Sequence, residues 1–342
     1  MTEQNIAYTL VASPEHDLAT HPENSNRFHH LSILDKLPFA ERLLALKADA
    51  APESAVTEIH TRKYLQALEQ AVASGPGYID YAPTYVTQDS YQSAFQAAGG
   101  TLAVLNAVLT GQARSGFALV RPPGHHATAS RAMGFCLFNN VAIAARQAQT
   151  LGKQRVMIVD IDVHHGNGTQ DIFEDDPDVL YLSTHQRGSY PNTGRMDETG
   201  VRKGEGTVVN IPLPSGAGDP AFEQVADRIM LPLGRRFSPD IIMISVGFDS
   251  HWRDPLASLQ LSCNGYYQVS KRLVALADEV CDGTLLAVLE GGYDPLVIAH
   301  GSAAMFHAFA GASAPEDSLG PATYPSPEVD SLLESVAALH HL

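Results

Sequence analysis

The run Asp160-Ile161-Asp162-Val163-His164-His165-Gly166-Asn167-Gly168 places two carboxylates and an imidazole at alternate positions directly after the apolar stretch Val156-Met157-Ile158-Val159. Alternate residues of a strand share a face, so Asp160, Asp162 and His164 are expected to point the same way. Unpaired charges are too costly to bury as core filler. The expected partner is a divalent metal, for which imidazole plus carboxylate is a standard ligand set. A third donor, Asp249 in Gly247-Phe248-Asp249, follows the apolar run Ile241 to Val246. Alone it would read as a turn or cap residue. Beside the earlier cluster, Asp162, His164 and Asp249 make the three-ligand pattern of a catalytic metal site, with a position left for water or substrate.

Two further groups carry acid–base and electrostatic chemistry. His125-His126 follow the rigid turn Pro122-Pro123-Gly124. A single strand-end histidine is more often a hydrogen-bonded structural residue, but a tandem pair points to proton transfer, because imidazole titrates near neutrality. Tyr293 follows Glu290-Gly291-Gly292, where paired glycines permit close backbone approach. Its phenol is suited to donate to the oxyanion of a tetrahedral intermediate, with aromatic packing as the ordinary alternative.

These groups need elements that bring them together. Phe117 to Val120 leads into the tandem histidines, Arg155 to Val159 into the acidic cluster and Val179 to Leu182 into Ser183-Thr184-His185. Ile241 to Val246 leads into Asp249, and Leu285 to Leu289 into Glu290 and Tyr293. Continuous aliphatic runs without polar alternation indicate strands buried on both faces, as in a parallel sheet. Helical patterns occupy Asp89 to Leu109, Val141 to Leu151, Phe222 to Phe237, Tyr266 to Val280 and Ser331 to Leu339, while Gly311 to Pro327 reads as a loop. No internal repeat or low-complexity linker is visible. The economical reading is one doubly wound α/β domain over residues 1–342, with its ligand site beyond the carboxyl ends of the strands.

Composition narrows the partners. A formal charge of −16 over 342 residues argues against nucleic-acid binding, which needs a basic face. It suits cationic substrates, although acidity also simply keeps a protein soluble. No apolar stretch reaches the roughly 18–20 residues that span a bilayer. The start Met1-Thr2-Glu3-Gln4-Asn5 lacks the basic segment of a secretory signal, and Cys136, Cys263 and Cys281 fit a reducing compartment. A cytoplasmic location away from membranes is expected.

Arg121-Pro-Pro-Gly-His-His-Ala127, Gly134-Phe-Cys136 with Phe138-Asn-Asn140, the Asp160–Gly168 run, Gly247-Phe-Asp249 and Glu290-Gly-Gly-Tyr293 together resemble the histone deacetylase family, including its bacterial amidohydrolases and acetylpolyamine amidohydrolases. His21-Pro22-Glu23-Asn24 with Arg27 resembles the family's N-terminal motif, so the likeness covers nearly the whole chain. It implies the arginase/deacetylase fold, a mostly parallel sheet of about eight strands with helices on both faces, and zinc-dependent amide hydrolysis releasing acetate.

Residue by residue, the resemblance implies that Asp162, His164 and Asp249 bind zinc, with ferrous iron as an alternative in the cell. It matches His125 and His126 to the active-site histidines, Tyr293 to the catalytic tyrosine, and Asp160 and Asn167 to the partners of the two histidines. Phe135 and Tyr190 match the walls of an acyl-lysine tunnel that Gly134 and Gly292 also line, with Leu256 near its rim. Arg27 matches an internal acetate-release pocket. A structural potassium ion is implied at Asp160, Asp162, His164, Ser183 and Thr184. A carboxylate partner should raise the pKa of His125, whereas a neutral amide gives His126 no such push. His126 is therefore expected to act as base and then acid, with His125 in support. Asn167 and Pro-Pro-Gly-His-His look like the class II side of the family. An aspartate that many relatives use to hold the substrate backbone falls here at Pro83 or Thr84.

The expected substrate is an acylated lysine in a protein or peptide. An acetylated polyamine is the rival, which Leu256, being uncharged at the rim, does not favour. An arginase-like ureohydrolase would need further bridging carboxylates, and an inactive acetyl-lysine binder would not need the intact set of catalytic groups. Relatives commonly assemble as dimers or tetramers, so a homo-oligomer is expected.

Overall fold

In the computed structural model, which describes residues 5–342, the apolar runs become neighbouring strands. In chain order they are β1 (Ile6–Val11), β2 (Leu43–Ala45), β3 (Gly77–Tyr78), β4 (Tyr85–Val86), β5 (Ser115–Val120), β6 (Val156–Asp160), β7 (Val179–Gln186), β8 (Val208–Leu213), β9 (Ile241–Val246) and β10 (Leu285–Leu289). Eight of them form one sheet in the order β2-β1-β5-β10-β9-β6-β7-β8, and every pairing in it is parallel. β3 and β4 form a separate antiparallel ribbon.

The period of two is visible in the core. Met157 and Val159 of β6 enter one apolar cluster, while Val156 and Ile158 enter the other. The same division holds for Ile242 and Ile244 against Ile241 and Met243 in β9. One layer of helices, including Arg62–Ala73, Ser90–Leu109 and Asn140–Thr150, covers the second cluster, and Cys263–Val280, Pro295–Phe309 and Asp330–Leu339 cover the first. Full burial of such a side chain is worth about 1.5–3 kcal/mol, so burial on two faces fixes these strands more firmly than propensity could.

One expected helix is not regular. Residues 222–237 lie within α-helical Asp219–Val225, a π-helical turn at Ala226–Met230 and α-helical Leu231–Phe237. Pro232 cannot donate and its ring would crowd a carbonyl one turn earlier. The chain widens by one residue there, with the Leu231 N–H donating to the Ala226 carbonyl.

The strand order sets up the chemistry. β5, β10, β9 and β6 are consecutive in the sheet, and the histidine pair, Tyr293, Asp249 and the acidic cluster follow their respective carboxyl ends. Ser245 pairs with Asp160 across β9 and β6, and Asp160 pairs with Ser183 across β6 and β7.

Candidate active site

Strand geometry lasts only to Asp160. Beyond it, bends capped by carboxylates maintain the alternation. The Asp162 N–H donates to Asp160 Oδ1 at 3.1 Å, and the His164 N–H donates to Asp162 Oδ1 at 2.8 Å. Ile161 and Val163 pack into the core between them. The cluster thus depends on local side-chain-to-backbone bonds, which aspartate forms readily.

Asp162, His164 and Asp249 bring one ligand atom each within 4.8 Å of one another. His164 Nδ1 lies 3.3 Å from Asp162 Oδ1 and 3.3 Å from Asp249 Oδ2. Asp162 Oδ2 accepts the Gly291 N–H at 2.8 Å and Asp249 Oδ1 accepts the Val163 N–H at 3.1 Å, while the buried Asp249 Oδ2 has no hydrogen-bond partner. Two buried carboxylates and an orphaned oxygen facing an imidazole fit a divalent cation. Burial and the neighbouring Asp162 charge raise the Asp249 pKa, a strain that a bound cation relieves. Glycines make this approach possible. A Cβ on Gly247 would lie 2.0 Å from Asp162 Oδ2, and one on Gly291 would lie 2.1 Å from Asp249 Oδ2.

The two histidines lie side by side, ring centroids 4.0 Å apart, in different surroundings. His125 Nδ1 donates to Asp160 Oδ2 at 3.0 Å. Burial opposes charge on this ring, but the Asp162 and Asp160 carboxylates override it and hold His125 up to about 10. His126 Nδ1 donates to Asn167 Oδ1 at 2.8 Å, while the Asn167 amide nitrogen faces Met133 Sδ. That bond fixes the proton on Nδ1 and leaves Nε2 with a free lone pair. Burial, then the positive charges of His125 and His164, keep the His126 pKa well below the usual imidazole range.

A reverse turn at Met133–Cys136 packs beside the histidines and Tyr293. Gly134 and Phe135 both have positive φ, 57° and 70°, as such a turn requires. Two groups outside the turn hold it. The Phe135 N–H donates to Thr84 Oγ1 at 2.9 Å, and the Gly134 N–H donates to Asp80 Oδ2 at 3.3 Å. The Phe135 ring stands edge-on to Tyr293 at 5.8 Å, and Tyr190 edge-on to His126 at 5.0 Å. A Cβ on Gly134 would lie 2.3 Å from the His126 ring, and Leu256 is exposed.

Arg27 is fully buried, and each of its three side-chain nitrogens donates one hydrogen bond. It donates to the Gly292 carbonyl at 2.7 Å, the Glu290 carbonyl at 2.6 Å and Glu23 at 3.1 Å, bracing the segment that ends in Tyr293. Thr184 donates to the Asp160 carbonyl at 3.2 Å, and the Ser183 hydroxyl bonds His185 Nδ1 at 2.9 Å. Cys136 is buried with its thiol donating to the Gly134 carbonyl, and burial pushes its pKa well up, so it is no nucleophile. Trp252 donates to the Gly320 carbonyl and stacks on His251.

Sequence reasoning assigned no bracing role to Glu290, Asp254, Asp80 or Thr84. Glu290 accepts the Gly124 and His125 N–H groups at 2.7 and 3.0 Å and the Ser245 hydroxyl at 3.0 Å, fixing the backbone beneath the histidines. The available signal was a carboxylate directly after an apolar strand, the same signal that flagged Asp160. The other three lie in irregular loops, where sequence spacing carries no geometric information.

The model of the histone deacetylase domain matches residues 21–309. Histone deacetylase 14, chloroplastic, of Arabidopsis thaliana is 42% identical over 93% of this chain and 79% of its own. A probable deacetylase of Archaeoglobus fulgidus is 43% identical over 80% of this chain and 77% of its own. A histone deacetylase-like amidohydrolase of Pseudomonas aeruginosa is 37% identical, covering 80% and 72%. The crystal structure of the HDA15 HD domain superposes with a TM-score of 0.87 at 34% identity, covering 99% of this chain and 95% of that one. With a domain model matching most of its length and relatives of this identity, the chain belongs to the histone deacetylase family of hydrolases.

Proposed function

We propose that the protein hydrolyses the amide of acylated lysine side chains, acetyl-lysine first, with a zinc ion held by Asp162, His164 and Asp249. The observation that carries this reading is the convergence of that buried ligand set with the His126–Asn167 pair, His126 meeting the Tyr190 ring and Tyr293 meeting the Phe135 ring. A bound divalent ion supplies Lewis-acid polarisation of the substrate carbonyl and lowers the pKa of water. The remaining work falls to side chains. His126 Nε2, neutral because of its surroundings, takes the proton of the attacking water and delivers it to the leaving amine. His125, held charged by Asp160, contributes positive charge and orientation. Tyr293 donates its hydroxyl hydrogen to the carbonyl oxygen as negative charge develops there. Ferrous iron is compatible with the same donors. We also assign a structural potassium ion to the neighbourhood of Asp160, Ser183 and Thr184, with the backbone of Asp162 and His164.

The rim supports lysine over polyamine. Leu256 is uncharged, and two nearby carboxylates are occupied by the chain itself. Asp80 accepts from the N–H groups of Ala82, Thr84 and Gly134, and Asp254 from those of Leu256 and Tyr293. Both brace loop backbone, and Leu256 itself offers no charge to a cationic chain. A panel of acetyl-lysine, longer acyl-lysine and trifluoroacetyl-lysine peptides with N-acetylputrescine, run with and without chelator, tests this. Acyl-lysine turnover that chelator abolishes is expected. Preference for N-acetylputrescine would move the assignment to polyamines, and chelator-insensitive turnover would remove the metal.

A further inference from the structure

The Tyr293 hydroxyl has no hydrogen-bond partner among the described residues. Its ring meets the Phe135 edge at 5.8 Å and the Arg27 guanidinium at 5.2 Å, contacts that set the plane of the ring without setting how far the hydroxyl reaches. That reach is therefore decided by the backbone. Gly292 supplies a φ of 108°, with its Cα pressed against Phe248, where a Cβ would lie 2.7 Å away. The Tyr293 N–H then donates to Asp254 Oδ2 at 2.7 Å.

Asp254 is buried, and its second oxygen accepts the Leu256 N–H at 2.9 Å. Its own N–H donates to the His251 carbonyl at 2.9 Å, which ties the loop back towards Asp249. One carboxylate thus joins the backbone of the phenol-bearing residue to the loop that carries Leu256 at the passage mouth. A desolvated carboxylate with both oxygens on backbone N–H groups is a stiff connector, since leaving either donor unpaired is costly.

We propose that Asp254 is a positioning residue for catalysis, a strut that sets the depth of the Tyr293 phenol and couples it to the position of the rim at Leu256. The strut acts within the deacylase reading given above and depends on it. Asp254→Asn keeps the shape but replaces one acceptor with a donor, so the Tyr293 or the Leu256 N–H loses its partner. A misplacement of order 1 Å costs up to ~100-fold, and outright loss of an oxyanion donor about 100–1,000-fold.

The test is a double-mutant cycle on the zinc-loaded full chain, with a trifluoroacetyl-lysine peptide as substrate. Wild type, Asp254→Asn, Tyr293→Phe and the double variant are compared for kcat and KM, each normalised to bound zinc. The expected result is a kcat loss of about 10–100-fold for Asp254→Asn in the wild-type background, with KM changed less than about threefold, and less than about threefold further loss in the Tyr293→Phe background. A merely structural carboxylate would lower kcat by the same factor in both backgrounds, and that result, or a single variant within about twofold of wild type, overturns the strut. Should Asp254→Asn fail to fold, Asp254→Glu keeps the charge, displaces the anchor by one methylene and must show the same dependence on the phenol. Absence of acyl-lysine turnover in the wild type would instead defeat the deacylase reading, and the strut's catalytic purpose with it.

Discussion

Gly291→Ala isolates the role of glycine beside the ligand cluster. The added Cβ would lie 2.1 Å from Asp249 Oδ2, 2.7 Å from Asp162 Oδ2 and 2.9 Å from Asp249 Cγ. Real Cβ contacts lie at about 3.4 Å or more, so the Asp249 carboxylate must recede by roughly 1 Å. Metal–ligand distances tolerate only about ±0.2 Å, and disturbing even the outer partners of a metal site costs about 10–100-fold in affinity. Moving a ligand oxygen itself should cost at least ~100-fold, or about 2.7 kcal/mol. Gly291 does not sit in the left-handed region, so alanine adds bulk without backbone strain, and its N–H can still reach Asp162. Zinc affinity is read by competition with a chromophoric chelator, alongside melting in excess chelator, which isolates the apo fold. The expected outcome is zinc binding weakened at least ~100-fold in a variant whose apo form still melts cooperatively, its stability lowered only by an overpacking cost of about 1–3 kcal/mol. Zinc affinity within about threefold of wild type would refute the placement of the metal among these three ligands.

Three further outcomes follow from the geometry. Asn167→Asp puts a carboxylate at the 2.8 Å contact with His126 Nδ1 and should raise that pKa by about 1–3 units. A base works only when unprotonated, so activity is lost as pH falls through its pKa; the acid limb of kcat/KM should move upward with the alkaline plateau kept, and an unmoved limb counts against His126 as the base. Glu23→Gln breaks the fully buried pairing of Glu23 with Arg121 and Arg27 and should cost about 3–5 kcal/mol of unfolding free energy in denaturant titration. Burial opposes the Glu23 charge but Arg121 overrides it and holds the carboxyl at about 2. A depressed carboxyl stabilises fully above its unfolded value and loses that contribution as pH falls toward 2, so acid unfolding of the Gln variant should be less steep than that of wild type.

The placement of the candidate groups was legible in the sequence because they are attached to the most regular elements. Runs such as Ile241 to Val246 are apolar on both faces, and the group that follows each must emerge at a strand end. Three strands of the eight-stranded sheet, the β3–β4 ribbon and several helices, among them Arg62–Ala73, Asn167–Phe173 and Pro295–Phe309, were not legible. β1 and β2 start and end in mixed sequence, and β8 carries Asn210 and Pro212 at the sheet edge, where ladder bonds are needed on one side only. Pro295–Phe309 is apolar all round because it is buried on most sides, so it lacks the stripe that marks a surface helix. Within the candidate site, the clustered carboxylates and histidines could be singled out by type. The braces could not, since the pairing of Thr84 with Phe135 or of Asp254 with Tyr293 exists only once distant loops meet.

The clamp on the Phe135 turn has a consequence for how this protein can change. The reacting groups come from four central strands whose ends cannot move without disturbing the core. The Phe135 turn, the proposed substrate wall, is instead held by Asp80 and Thr84, which lie in the β3–β4 connection, where Tyr81 is fully exposed. Reaction and selectivity are therefore separable inheritances. On the proposed reading, lengthening or recomposing residues 79–83 is expected to alter the entrance while the groups at the strand ends stay as they are, so acyl-chain preference would change without a change in any reacting group.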